Sequence, residues 1–164
     1  IEEIDNQKKK VFMDAFEKID RSLRSIFKDL TDGEAWLELE NPEEIFSGGI
    51  YLMASFPGKR PKESLMLSGG EKTITTVAFI LAMQSAYKSP FYLFDEVDAH
   101  LDQLNLERLT KILKERSKEA QIILITLKDL TLSKADKIFG VYQRGGIASI
   151  VEYSPGVAVR EVKA

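Results

Sequence analysis

Four apolar residues in a row, Phe91-Tyr92-Leu93-Phe94, run straight into two adjacent carboxylates, Asp95 and Glu96, and few folds accommodate that pattern. A strand with one wet face would alternate apolar and polar; an unbroken run suits a central parallel strand covered on both faces. A second such run, Ile122 to Ile125, follows a stretch from about Leu101 to Ser117 in which Leu104, Leu109, Ile112 and Leu113 read as the inward positions of a helix. Strand, helix, strand in that order predicts a parallel α/β unit, because parallel neighbours need a crossover. Open sheets of this kind take ligands beyond the carboxyl ends of their strands, which is where Asp95 and Glu96 stand.

The flanks read differently. From Glu71 to about Tyr87 the sequence predicts a helix, apolar on every side at Val77-Ala78-Phe79-Ile80-Leu81-Ala82-Met83 and therefore buried. After the second apolar strand a short helix leads to Ile138–Gln143, and Arg144-Gly145-Gly146 turns the chain into Ala148–Tyr153 as a hairpin. Upstream, Trp36, Leu37 and Leu39 alternate imperfectly with Glu38 and Glu40, and a turn at Ser47-Gly48-Gly49 leads to a partner strand from Ile50 to Ser55. Phe56 to Ser64, with Pro57, Gly58 and Pro61, reads as loop. The fold class is thus α/β, with parallel core strands flanked by helices and antiparallel additions at both ends. Residues 1–30 read as a helix, with Phe12, Phe16, Ile19, Leu23, Ile26 and Leu30 at three- and four-residue steps. Two readings of it stand: a helix packed on its own domain, or the end of a longer coiled coil entering a head formed by residues 31–164. Residues 157–164 read either as a final strand or as a tail.

Composition limits the function classes. A chain of 164 residues is the size of one domain, and a net charge of -3 argues against a basic domain that coats nucleic acid. No apolar run approaches the ~20 residues of a membrane helix. The opening IEEIDNQKKK has no signal-peptide core, and there is no cysteine for disulfides or thiolate zinc sites. The expected setting is cytoplasmic.

Two motifs carry chemistry. In Leu67-Ser68-Gly69-Gly70-Glu71-Lys72, at a helix start, the serine and glycines either cap the helix or offer amides and a hydroxyl to an anion such as phosphate. In Phe91 to Glu96, the two carboxylates either stop the strand in solvent or serve ion and water chemistry. Asp95 would then hold Mg²⁺, directly or through water, and Glu96 would orient and deprotonate the attacking water. His100, the one histidine, reads as a solvated or interface residue rather than a ligand, since no second His or Cys stands near it. Lys8-Lys9-Lys10, Lys59-Arg60 and Arg144 either touch DNA phosphates or are solvated charge, the usual role of so short a run on a helix, and Trp36 reads as packing rather than a base-stacking platform.

Taken together, the motifs resemble the signature motif and Walker B strand of ABC-type ATPases. From about Gly48 to Tyr153 the chain resembles the C-terminal head lobe of a structural maintenance of chromosomes (SMC) protein of archaeal or bacterial type. The resemblance is carried by Gly48-Gly49, by Pro57-Gly58-Lys59-Arg60, by Phe91 to Asp102 (FYLFDEVDAHLD) and by Ile138-Phe139-Gly140-Val141. It implies that Ser68, Gly69 and Gly70 contact the γ-phosphate of ATP held by an opposite head, that Asp95 is the magnesium acid, and that Glu96 is the catalytic base. Asp98, Ala99 and Asp102 would fall in or just after the D-loop, which crosses the head–head interface. The implied cofactors are ATP and Mg²⁺. The implied partners are the N-terminal lobe of the same protein, a second head, a kleisin subunit and DNA, with no membrane, and the implied site of action is the chromosome.

One absence bears on this. There is no G-x-x-x-x-G-K-[ST] phosphate loop: the only Gly-Lys pair is Gly58-Lys59, with Met53 five residues before it and Arg60 after it. In SMC proteins that loop lies at the far N-terminus, beyond a long antiparallel coiled coil. The missing loop and the helical opening without methionine are both expected of an excised lobe, inactive by itself. Leu127 stands where ABC transporters and the coiled-coil repair ATPase carry a histidine, which SMC heads typically lack too. A repair-type or transporter ATPase, and a non-catalytic interaction lobe, are the alternatives.

Overall fold

The computed structural model describes residues 2–153 and 160–162. Helix α1 runs from Glu2 to Thr31 and supplies Leu23, Ile26, Phe27 and Leu30 to the core. Phe12, Phe16 and Ile19 are half-buried, and residues 3–11 are exposed. Phe27, outside the expected series, is fully buried and meets Phe56 edge-on with ring centres 5.2 Å apart. The helix ends where Asp32 adopts a left-handed backbone (φ 58°), with its N–H donating to the Lys28 carbonyl.

Strands β1 (Glu34–Leu39) and β2 (Ile50–Ser55) pair antiparallel, Glu34 opposite Ser55 and Leu39 opposite Ile50. Asp20 of α1 docks β1 by accepting the Leu37 N–H at 2.7 Å. Ala35 and Leu37 point inward, while Trp36 faces the other way and donates from Nε1 to Glu38 at 2.5 Å. The loop expected over 56–64 contains a two-residue strand, β3 (Lys62–Glu63), paired with β2 and too short to leave a periodic trace.

Helix α2 (Gly69–Ala86) leads to β4 (Phe91–Asp95), helix α3 (Gln103–Arg116) and β5 (Gln121–Ile125). The two strands are parallel, Phe91 opposite Gln121 and Asp95 opposite Ile125, as the strand–helix–strand order requires. Coverage on both faces is not what the structure has. Phe94 is buried and Tyr92, Ile122 and Leu124 pack against the core, but Phe91 and Leu93 are 55% and 60% exposed and Ile123 and Ile125 also face out. Helix α2 is covered along most of its apolar run, as expected: Ile74, Val77, Ala78, Leu81 and Ala82 are buried and Phe79 and Ile80 pack against the core, while Met83 is exposed. In α3 the inward face is Leu106, Leu109 and Leu113, and Leu104 is exposed. Asp102 caps the helix from outside, so at 100° per residue Leu104 falls nearly opposite Leu106.

Helix α4 (Asp129–Ser133) precedes β6 (Ile138–Arg144) and β7 (Ile147–Tyr153), an antiparallel pair. Its turn residues Gly145 and Gly146 both have positive φ, the geometry a two-residue hairpin turn demands. Of the segment 157–164, Arg160–Val162 forms β8 on β7, and the rest lies outside the described residues. The fold is α/β, and no helix among the described residues is long and apolar enough to cross a membrane.

Candidate functional site

The parallel pair ends at Asp95, and the chain turns sharply at Glu96. The Glu96 N–H still donates to the Ile125 carbonyl (3.0 Å), yet its φ is +47°, left-handed for a residue with a bulky side chain. Such a backbone costs about 1–2 kcal/mol, so its neighbours must hold it there. Both carboxylates are exposed, and among the described residues neither has a hydrogen-bond or ion-pair partner within the chain. Two unengaged acids at the carboxyl edge of a parallel sheet are available for a ligand.

The next residues part ways. Asp98, expected at an interface, is 1% exposed, its Oδ2 accepting from Thr126 Oγ1 at 2.5 Å and Thr131 Oγ1 at 2.6 Å. Ala99 is exposed. Asp102 is the N-cap of α3, accepting from the Asn105 N–H at 2.8 Å and from Asn105 Nδ2 at 3.0 Å. The side chains of Asp98 and Asp102 are thus engaged within the chain. Thr126 and Thr131 were not singled out from the sequence; isolated threonines carry no motif, and their partner lies about thirty positions away.

At the start of α2, Ser68 is the N-cap. Glu71 Oε2 accepts from the Ser68 N–H (3.1 Å) and from its hydroxyl (2.7 Å), and Lys59 Nζ donates to Glu71 Oε1 (2.7 Å). Lys59, first among the causes, and then the Ser68 hydroxyl hold the Glu71 carboxyl down at about 2. The two glycines have different reasons. A side chain at Gly70 would stand 3.1 Å from the His100 carbonyl oxygen, so Gly70 lets α2 approach the turn after β4. Nothing lies within 4 Å of a side chain added at Gly69, so nothing inside the chain requires that glycine.

Gly69, Lys72, Thr73, Asp95, Glu96 and His100 line one open cleft of about 470 Å³. The fold therefore brings Gly69 together with both carboxylates, while Ser68 and Gly70 stand outside the lining. Lys72 and Thr73, one turn into α2, add a cation and a hydroxyl that the motif reading left without a role. Among the described residues no three His, Cys, Asp or Glu side chains cluster as a metal cage. Magnesium is commonly held by one or two carboxylates together with phosphate oxygens and water, and Asp95 with Glu96 fits that donor set.

Residues 3–149 match the family model described as "RecF/RecN/SMC N terminal domain". The chain is 49% identical over 94% of its length to chromosome partition protein Smc of Pyrococcus furiosus, and 48% identical over 92% to that of Aquifex aeolicus. It spans 13% of the length of each of these relatives. Among solved structures, the Smc head domain of Pyrococcus furiosus, with an extended coiled coil and bound to the C-terminal domain of ScpA, superposes with a TM-score of 0.90. That match is 49% identical and covers 94% of this chain and 39% of that one. A structure described as "Structural biochemistry of ATP-driven dimerization and DNA stimulated activation of SMC ATPases" superposes with a TM-score of 0.82 at 48% identity, covering 89% of each chain. On the family match and these likenesses in sequence and fold, the chain belongs to the RecF/RecN/SMC family, with Smc proteins among its relatives.

Proposed function

We propose that this chain is the C-terminal lobe of an Smc ATPase head, residues 31–164, entered by the end of a coiled coil, residues 1–30. With an N-terminal lobe it binds ATP and Mg²⁺ and hydrolyses ATP between two engaged heads, driving chromosome condensation and segregation. The observation that carries this reading is the unengaged Asp95–Glu96 pair at the carboxyl edge of the parallel strands, in one cleft with Gly69. The matched family model is described as an N terminal domain, so the lobe assignment rests on motif content: the signature helix and the acidic strand end are present, and the phosphate loop is not.

In this reading Asp95 holds magnesium, which supplies charge stabilisation to the phosphates. Glu96, beside it and free of partners, accepts a proton from the attacking water. Ser68, Gly69 and Gly70 present a helix N-terminus to the γ-phosphate held by the opposite head, and the open space at Gly69 is consistent with that approach. Ala99 is the D-loop residue that meets the second head, and its exposure on the turn after β4 supports that role. ATP-driven dimerisation and a ScpA complex are described for solved relatives, which supports a second head and a kleisin subunit as partners, with DNA as the polymer acted on. Leu127, 88% exposed at the switch position, and the Smc relatives favour this over a repair-type or transporter ATPase.

The test is phosphate release by the full-length protein alongside size-exclusion chromatography in Mg-ATP. Glu96→Gln is expected to lower turnover by roughly 10²-fold or more while ATP-bound dimers accumulate. Turnover at the wild-type rate would remove Glu96 from the chemistry.

A further inference from the structure

Asp98 is the only buried acid among the described residues, and the chemistry above gives it nothing to do. Its Oδ2 accepts two hydroxyl hydrogen bonds from residues on different elements: Thr126, just past the end of β5, and Thr131, inside α4. Thr126 is itself fixed, since its oxygen accepts the Lys128 N–H at 2.9 Å. The main chain of the same turn is tied down on both sides of Asp98. Glu96 N–H reaches the Ile125 carbonyl, Ala99 N–H reaches the Glu96 carbonyl at 3.1 Å, and Leu101 N–H reaches the Asp98 carbonyl at 3.3 Å.

We propose that Asp98 is a positioning residue for Glu96: by pinning the turn after β4 to the ends of β5 and α4, it holds the left-handed backbone from which the Glu96 carboxylate projects. A bulky residue at positive φ persists only where its surroundings over-determine it. Glu96 has one main-chain bond on each side, and its own side chain anchors nothing. The next buried anchor along the chain is Asp98, two residues on. Its two donors are hydroxyls, and among the described residues it has no ion-pair partner, so its contribution is directional. That explains why an acid in the segment expected to cross between heads points inward. The proposal rests on the ATPase reading and adds a residue to it that touches neither nucleotide nor water.

The experiment uses full-length protein and four variants: Glu96→Gln, Asp98→Ala, Asp98→Asn and the double variant Asp98→Ala/Glu96→Gln. Asp98→Ala is expected to lower kcat by roughly 10- to 100-fold with KM for ATP changed less than about threefold, and to accumulate ATP-bound dimers as Glu96→Gln does. Asp98→Asn keeps an oxygen that accepts from both threonines and is expected to retain kcat within about threefold. Because Asp98 acts through Glu96, single-turnover hydrolysis by the double variant should be no slower than by Glu96→Gln alone. If Asp98→Ala does not fold, Thr126→Val/Thr131→Val removes both donors at nearly constant volume and should give the same kcat loss. Wild-type kcat in Asp98→Ala or in the threonine pair overturns the proposal, as does a defect that multiplies on the Glu96→Gln background. If the wild-type protein hydrolyses no ATP, or Glu96→Gln is fully active, the underlying reading has failed instead.

Discussion

The Ser68 hydroxyl donates to Glu71, three positions along the same helix, rather than pointing into the cleft. An anion arriving at the helix start must therefore compete with a carboxylate already in place. Ser68→Arg fills the approach with bulk, and the full-length protein is expected to bind ATP yet form no ATP-dependent dimers by light scattering. Ser68→Ala removes the hydroxyl and its bond to Glu71 without adding bulk and should cost about 1 kcal/mol. The Lys59–Glu71–Ser68 chain also predicts a pH dependence. The Glu71 carboxyl is lowered from 4.5 to about 2, so its contribution is fully present above pH 4.5 and is lost as pH falls toward 2. Thermal melts of wild type and Glu71→Gln should differ most near neutral pH and converge as the pH is taken down through that window. A gap that stays constant to pH 2.5 would show that Glu71 carries no such linkage. At this scale the sequence was informative where residues are contiguous: Ser68 to Lys72 and Asp95-Glu96 are legible as motifs. Asp98 with Thr126 and Thr131 is not, because a contact between residues about thirty positions apart leaves no local pattern.

Helix α3 shows where periodicity stops short. Leu104, Leu109, Ile112 and Leu113 fit a helical spacing, yet the cap at Asp102 sets the phase so that Leu106 goes in and Leu104 out. Urea unfolding should therefore separate them: Leu109→Ala is expected to cost about 2–5 kcal/mol, and Leu104→Ala less than about 0.5 kcal/mol. Equal losses would mean that the exposed side is covered in the molecule measured. The parallel pair and the hairpins were legible from apolar runs and turn glycines, down to the Gly145-Gly146 turn. The two-residue β3 and the outward Trp36 were not, since each depends on a partner strand or side chain rather than on period.

The largest difference between pattern and structure belongs to the whole molecule. Phe91, Leu93, Ile123 and Ile125 read as a strand pair covered on both faces, and this chain covers one. A hydrophobic pattern states which surfaces need cover, not which polypeptide provides it. The isolated chain should accordingly bind a fluorescent apolar dye strongly and show no micromolar affinity for Mg-ATP by isothermal titration. Measurable micromolar binding would contradict the assignment of the phosphate loop to another lobe. The coupling of α3 to α1 has a mechanical side. Arg108 of α3 donates from Nη2 to Asp32 Oδ2 at 2.6 Å and from Nη1 to the Leu30 carbonyl at 3.3 Å, bolting the helix that Asp102 caps to the base of α1. At 1.5 Å per residue α1 is about 45 Å long, so a tilt of about 10° at that bolt sweeps its outer end by about 8 Å. A small rotation where α3 meets α1 thus becomes, at the tip of a stiff rod, a displacement wider than the spacing between adjacent strands of a sheet.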